Sequence, residues 1–323
     1  MSDLVLVTGA RGFIGSAVVR ALKRDGFQVR AASREVRAAV PEADELVGWP
    51  APDRRTAGAR AALEGVTHVV HCAGDAEAHA GDEDALLAAN AGLTAELVGA
   101  AAGAIPGKFV FLSSARAVCG PVSGTVVSDA TAPRPQDAYG RSKLEAEQRL
   151  RNAFGAHPRW TILRPTPVYG PGARGQIGAL LKLAALPLPL PLAGLKARRS
   201  LLSREACADA VLHALRTLQT DAGAFIVSDR DPVSVVEILT AFRRGLGRRP
   251  NLLPAPAPLL GAAAALLGQR ENWRRLAGGL VADPSGLAAT GWKPPSDTLE
   301  RLEELARAGG GRADADGGAR RQV

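Results

Sequence analysis

The apolar run Leu4-Val5-Leu6-Val7 leads straight into Thr8-Gly9-Ala10-Arg11-Gly12-Phe13-Ile14-Gly15. Ser16-Ala17-Val18-Val19-Arg20-Ala21-Leu22 follows with helical periodicity. An unbroken apolar run suits a parallel strand covered on both faces. Gly9 allows a tight turn after it, Gly12 allows the backbone to approach a pyrophosphate, and Gly15 allows the helix to pack close to the sheet. The helix N-terminus attracts phosphate, so Arg11, Phe13 and Ile14 join the three glycines in a predicted phosphate-binding turn. The spacing is G-x-x-G-x-x-G rather than G-x-G-x-x-G. Strand, glycine turn and helix in that order predict an α/β fold with a doubly wound parallel sheet.

The alternation continues. Gln28-Val29-Arg30-Ala31-Ala32 reads as the second strand. At its end, where an acid would hold the adenosine ribose of NAD, stand Ser33 and Arg34. A hydroxyl and a guanidinium would accept a 2′-phosphate, which leans the cofactor toward NADP. Residues 35–62 are weakly patterned and predict a loop and a short helix. Val66 to His71 is the next strand, and Ala73 and Gly74 after it let the backbone skirt a cofactor. His68 and His71 read as strand residues rather than ligands or bases. Ala85 to Ala102 is helical, with Asn90 and Thr94 on one face. Phe109 to Leu112 is a buried strand, and Ser114 at its carboxyl end points into the crevice where such sheets bind ligands. After the strand Trp160 to Leu163, prolines at 165 and 167 take the chain out of the sheet. Further helices are expected from about Glu205 to Leu218 and from Ser234 to Leu246, with a strand at Ala224 to Val227.

Tyr139 and Lys143 lie four apart in a run of helix formers, on one helix face. A phenol titrates near pH ~10, and a neighbouring ammonium favours the phenolate. Such a pair takes a proton from an alcohol while a nicotinamide takes the hydride. The spacing alone is weak; its value comes from the glycine turn and Ser114.

The chain has 323 residues, a formal charge of +8 and 40 Lys and Arg. That charge suits anionic partners, but the arginines are scattered and no basic stripe with interleaved aromatics appears, so nucleic acid is not expected. The odd, widely separated Cys72, Cys119 and Cys207 form no disulfide or metal-ligand pattern. No leader is expected before the first strand, and a cytoplasmic protein with no metal is predicted. Ala179 to Leu195 and Leu252 to Leu267 are apolar, but too short and proline-broken to span a bilayer. They are expected to pack on the core or wall a pocket, with peripheral membrane contact left open.

The set Thr8-Gly9-x-x-Gly12-x-x-Gly15, His71-x-Ala73-Gly74, Ser113-Ser114, Tyr139-Gly140-x-Ser142-Lys143 and Arg164-Pro165-x-x-Val168-Tyr169-Gly170-Pro171-Gly172 resembles the extended short-chain dehydrogenase/reductase family. Within it, the NAD-dependent epimerase/dehydratase branch is the nearer likeness, and specifically the bacterial 4-epimerases of UDP-hexoses or polyprenyl-diphosphate sugars that serve surface polysaccharides. The resemblance implies a Rossmann domain over 1–168, with chain returns around 205–230. It also implies a smaller, interleaved substrate region over 169–308, and residues 309–323 read as a disordered tail. By resemblance Tyr139 is the base, Lys143 lowers its pKa and binds the nicotinamide ribose, and Ser114 holds the substrate hydroxyl. Pro165 and Thr166 would touch the nicotinamide carboxamide, and Asn90 would join the cofactor ligands. Arg199 and Arg275 would hold a sugar diphosphate, with Gln176 near the sugar. A homodimer is implied. Ser33 and Arg34 depart from the family's acid, Arg116 and Cys119 from its usual loop, and an adenine-binding acid would have to be Asp44 or Asp53.

Three activities fit. A 4-epimerase of a sugar diphosphate, working by transient C4 oxidation with bound NAD(P), needs Tyr139, Lys143 and Ser114. An NADPH-dependent carbonyl or sugar reductase needs the same set and an exchangeable cofactor. A 4,6-dehydratase would need an acid/base pair where Ala115 and Arg116 stand. A non-catalytic dinucleotide-binding regulator is a further alternative, against which the retained Tyr139 and Lys143 argue.

Overall fold

The computed structural model describes residues 3–33, 40–49, 55–75, 83–173 and 175–318. In chain order the strands are β1 (Leu4–Thr8), β2 (Gln28–Ser33), β3 (Glu45–Gly48), β4 (His68–His71), β5 (Phe109–Leu112), β6 (Trp160–Pro165), β7 (Val168–Tyr169), β8 (Arg198–Arg199), β9 (Leu202–Ser203), β10 (Gly223–Val227) and β11 (Val233–Ser234). The helices are α1 (Gly15–Arg24), α2 (Arg55–Ala62), α3 (Glu83–Leu87), α4 (Leu93–Ala101), α5 (Ala138–Phe154), α6 (Gly175–Ala184), α7 (Arg204–Arg216), α8 (Val235–Gly245), α9 (Ala257–Leu266), α10 (Arg270–Ala277), α11 (Ser285–Ala289) and α12 (Thr298–Gly318).

Seven parallel strands form one sheet in the order β3-β2-β1-β4-β5-β6-β10. The order reverses between β1 and β4, which creates the crevice where doubly wound sheets bind ligands. The apolar run in β1 divides by side: Val5 and Val7 pack with Val110, Leu112 and Leu163, whereas Leu4 and Leu6 pack with Phe109, Phe111 and Ile162. The first face is covered by α1 and α7, the second by α2, α4 and α5. A third cluster joins α6, α8 and α12 around Leu180, Leu239, Phe242 and Leu302.

Four differences from the sequence reading have local causes. The segment expected as loop and short helix also contains β3, an edge strand that takes its hydrogen bonds from β2. Its Glu45 and Gly48 are exposed, so pairing rather than pattern makes it a strand. The helix expected over 85–102 is interrupted by one π turn at Ala88–Gly92. Leu252 to Leu267 joins the core only in part: Leu252 and Leu260 pack against the third cluster, but α9 has no fully buried residue, while its counterpart at 179–195 buries Leu180, Leu190, Leu192 and Leu195. Where a disordered tail was expected from 309, α12 continues to Gly318. Leu302 and Ala306 anchor α12 in the core, and adding a residue to an anchored helix costs little.

One buried ion pair fixes α5. Glu147 is fully buried and receives Arg164 in bidentate fashion, Nε to Oε1 at 2.9 Å and Nη2 to Oε2 at 2.6 Å. The Ser113 hydroxyl donates to Oε1 at 2.6 Å, and Arg151 approaches Oε2 at 3.5 Å. Glu147→Ala would leave Arg164 buried without its carboxylate. It should destabilise the protein by about 3–5 kcal/mol, measured as a lower urea midpoint at unchanged slope; a loss below about 1 kcal/mol would refute the anchoring role.

Candidate active site

The glycine turn closes on itself. Gly12 N donates to Gly9 O at 2.8 Å. Gly9 sits at φ +67°, and a Cβ there would lie 2.7 Å from Ala73 N. A Cβ at Gly15 would lie 2.1 Å from Gly9 O, so α1 reaches the sheet only because residue 15 has no side chain. No side chain caps α1 and no acid stands in its first turn, which leaves its N-terminus electrostatically open to phosphate. A cavity of about 180 Å³ lies beside it, lined in part by Arg11, Arg20 and Glu42. These features of Gly9, Gly12, Gly15 and the start of α1 fit the pyrophosphate of a dinucleotide. Ser33 ends β2, while Arg34 and Asp53 lie outside the described residues. Asp44 is committed elsewhere: it accepts from Lys23 Nζ at 2.6 Å and from Val29 N at 2.7 Å.

A polar relay connects this turn to α5. The Thr94 hydroxyl donates to Asn90 O at 2.6 Å, so its oxygen accepts from His71 Nε2 at 3.0 Å. His71 Nδ1 must then accept the Thr8 hydroxyl at 2.6 Å, whose oxygen takes the Ala73 N–H at 3.3 Å. Burial drives the His71 pKa down to about 3, so the ring stays neutral and serves geometry. Asn90, expected among the cofactor ligands, is hydrogen-bonded through both side-chain ends, with one acceptor position of Oδ1 outside these bonds. Its Nδ2 donates to Asp75 O at 3.0 Å and Ser142 Oγ at 2.9 Å, and its Oδ1 accepts from Asp75 N at 2.8 Å. It holds the loop after β4 against α5.

The N-terminus of α5 is set by Asp137, whose Oδ1 caps Gly140 N at 2.8 Å. Tyr139, Lys143 and Glu147 then follow one face. Lys143 is buried; its Nζ donates to Leu112 O at 3.0 Å and lies 5.0 Å from the Phe111 ring centroid. A Cβ at Gly74 would lie 2.9 Å from that Nζ, so Gly74 keeps the space above the ammonium clear. Burial lowers the Lys143 pKa to about 8, against the pull of Cys72 and Glu147.

Tyr139 lies one turn before Lys143 on α5. Its phenol is pushed above the ordinary value by burial, and the groups holding it down are a hydrogen bond from Ser114 and the Arg116 guanidinium. Ser114 is buried at the end of β5, and its Oγ also accepts Arg116 N at 3.2 Å. The Arg116 Nη2 contacts the Asp137 carboxylate, while its Nε is buried without a partner among the described residues. Burial and the neighbouring Arg275 both lower the Arg116 pKa. Nothing in the sequence pattern marks Arg116 as an electrostatic partner of Tyr139.

The three predicted substrate residues converge on the C-terminal half of α10. Gln176 Nε2 donates to Arg275 O at 3.0 Å. Arg199 Nη2 donates to Leu276 O at 2.7 Å and Gly278 O at 2.6 Å. Arg275 itself pairs with Glu271, Nε to Oε1 at 3.1 Å. Arg199 is buried, burial lowers its pKa to about 10, and its Nε has no partner among the described residues. A buried guanidinium held by carbonyls alone is electrostatically suited to an anion. Pro165 ends β6, and Thr166 N is already bonded to Val227 O at 3.0 Å. No group of His, Cys, Asp and Glu that could hold a metal occurs among the described residues.

The model of the NAD dependent epimerase/dehydratase family matches residues 5–227. A UDP-glucose 4-epimerase of Vibrio cholerae is 31% identical over 319 residues, covering 95% of this chain and 96% of that protein. A 3-diazoavenalumate denitrifying reductase of a Streptomyces species is 31% identical over 303 residues, covering 90% and 95%. Among solved structures, the UDP-N-acetylglucosamine 4-epimerase of Bacillus cereus superposes with a TM-score of 0.75 over 95% of this chain and all of that one, at 21% identity.

The depressed Lys143 pKa makes a stability prediction. Between pH about 8, its value here, and 10.5, its ordinary value, the unfolded chain holds the proton that the folded chain has released. Stability therefore rises with pH across that window, and below it the folded state carries the full cost of a buried charge. Lys143→Met should stabilise the cofactor-free protein at pH 7 by about 1–3 kcal/mol while removing turnover. Its advantage should shrink as pH climbs through 10; equal or lower stability at pH 7 would refute this.

Proposed function

The chain belongs to the NAD dependent epimerase/dehydratase family, and on that premise we propose that it is a nucleotide-sugar 4-epimerase. The observation that carries the reading is Arg199. A sugar diphosphate supplies the anion that this buried guanidinium lacks, and it places a hexose toward Tyr139 and Ser114. Gln176 and Arg275 border the same space. The sequence kinship to a UDP-glucose 4-epimerase over nearly both full lengths supports the same substrate class.

A bound nicotinamide dinucleotide would supply reversible two-electron chemistry at the sugar's C4. The glycine turn and the open end of α1 would hold its pyrophosphate, and Lys143 below Gly74 its nicotinamide ribose. The remaining tasks fall to this chain's side chains. Ser114 orients the C4 hydroxyl, and the Tyr139 phenolate oxygen takes the hydroxyl proton and later returns it. Arg116 opposes the rise in the phenol's pKa that burial causes. Between oxidation and return the hexose must turn its other face, which an anchor at the diphosphate permits. A role in surface-polysaccharide synthesis and a lipid-diphosphate carrier belong to the same proposal.

The second reading is an NADPH-dependent reductase. It is favoured by Ser33, where a carboxylate would otherwise meet the adenosine ribose.

The experiment is to denature the purified protein and identify the released nucleotide, then assay a panel of UDP-hexoses by product analysis. Retained NAD+ and interconversion of C4 epimers are the expected outcome; an empty protein that consumes NADPH would overturn it in favour of the reductase. Tyr139→Phe should lower kcat by about 10²–10⁴-fold with cofactor binding retained. Arg199→Ala should act mainly on KM, raising it by about tenfold or more; an unchanged KM for the UDP-sugar would remove Arg199 from the diphosphate site.

A further inference from the structure

We propose that the face formed by α9 and the adjoining 186–188 and 248–253 segments docks on an anionic membrane surface. The sequence of α9, Ala-Pro-Leu-Leu-Gly-Ala-Ala-Ala-Ala-Leu, has no polar side chain. One side of it is used: Leu260 packs on the third core cluster beside Trp273, and a Cβ at Gly261 would lie 2.8 Å from the Trp273 ring nitrogen. The other side is bare. Leu259 is 67% exposed, Leu266 89% and Leu267 76%, at helical spacing along one stripe. Single exposed leucines are ordinary, but a contiguous apolar stripe on an uncovered helix marks a contact surface.

The charge beside the stripe identifies the contact. Between Ile238 and Ala282 the sequence has seven arginines and one acid, Glu271; Arg243 is buried on carbonyls and Arg274 and Arg275 pair with Glu271, which leaves Arg244, Arg248, Arg249 and Arg270 as exposed cations. Arg248 and Arg249 line a groove of about 470 Å³ with Leu186 and Leu188, and Leu188 is 60% exposed. The groove is continuous with the segment entering α9, because Leu190 and Leu252 are bridged and Ala193 N donates to Leu253 O at 3.1 Å. Exposed leucines next to exposed arginines are the composition of an interfacial surface on anionic lipid: apolar groups enter the headgroup boundary and cations meet phosphates. No helix among the described residues is long and apolar enough to cross a membrane, so the contact is peripheral. Because α9 packs on α10, whose C-terminal half borders Arg199, docking brings the substrate site close to the lipid. Under the function proposed above, that geometry suits a sugar diphosphate carried on a lipid.

The test is co-sedimentation of the full chain with vesicles of phosphatidylglycerol and phosphatidylcholine, compared with phosphatidylcholine alone. The expected result is binding to the anionic vesicles only, weakened by ~0.5 M salt. It should fall by at least about tenfold in L259E/L266E and be weakened in R248E/R249E. Melting temperature and turnover of a soluble UDP-sugar are measured in parallel. Vesicle binding does not depend on turnover, so failure of the docking and failure of the epimerase reading are separate outcomes. Folded protein that ignores anionic vesicles, or L259E/L266E that binds like the parent, overturns the proposal. So does a size-exclusion profile in which the parent is a larger oligomer that L259E/L266E splits, because the stripe would then cover a second copy.

Discussion

The buried Glu147–Arg164 pair is the constraint on which the catalytic geometry rests. A helix can slide or roll on a sheet when only apolar side chains meet. A bidentate guanidinium–carboxylate pair fixes both distance and rotation. Glu147 sits one turn beyond Lys143 and two beyond Tyr139, so locking it to β6 sets the height of both above the strand ends. Ser113 ties the same carboxylate to β5, and its neighbour Ser114 faces the phenol. The face of α5 is thus divided: its inner end anchors, and its outer end carries the proposed catalytic pair. Such a pair adds less net stability than its Coulomb energy suggests, since desolvation opposes it. Its value lies in permitting only one placement of the helix.

A second network does the same for the cofactor side. Thr8 ends β1, His71 ends β4, and Asn90 stands on the π turn between α3 and α4. Their hydrogen bonds run unbroken from the glycine turn to Ser142 on α5. The π turn is where one extra residue enters the helix, and it aims Asn90 at the loop after β4 while Thr94 still reaches His71. A neutral His71 is required, since a charged ring could not accept from Thr8. The depressed His71 pKa guarantees that state across the physiological range.

Most of the framework was legible in the sequence because local rules decide it. The apolar runs, the glycine turn and the prolines after β6 locate the strands and their order, and the Tyr139–Lys143 spacing locates the face of α5. What was not legible depends on partners distant in sequence. β3 exists because β2 offers an edge, not because residues 45–48 have a pattern. That Asn90 braces the loop after β4 against α5 shows only in three dimensions, where Asp75 and Ser142 meet it. Arg116 follows Ser114 by two positions, but its relation to Tyr139, Asp137 and Arg275 appears only when the short turn after β5 folds over α5. The prolines before α9 correctly excluded a spanning helix, yet gave no sign that the helix would remain uncovered.

The cations of the site share one imbalance. Lys143 is held by a carbonyl and a ring face, Arg199 by two carbonyls, and Arg116 by one carboxylate with its Nε left unpaired. Burial weakens the protonation of each. A protein optimised for stability alone would pair or remove such charges. Buried cations of this kind are electrostatically suited to an anionic ligand, which would supply counter-charge where water is scarce. The arginines around α9 differ in one respect: they are mostly exposed, and a hydrated cation suits a broad, wet, anionic surface rather than a single phosphate. Burial therefore separates the two basic regions by the kind of anion each can hold. The inner one is the proposed diphosphate site. The outer one is the proposed contact with a lipid headgroup layer, and α10, which packs on α9 and borders Arg199, joins the two.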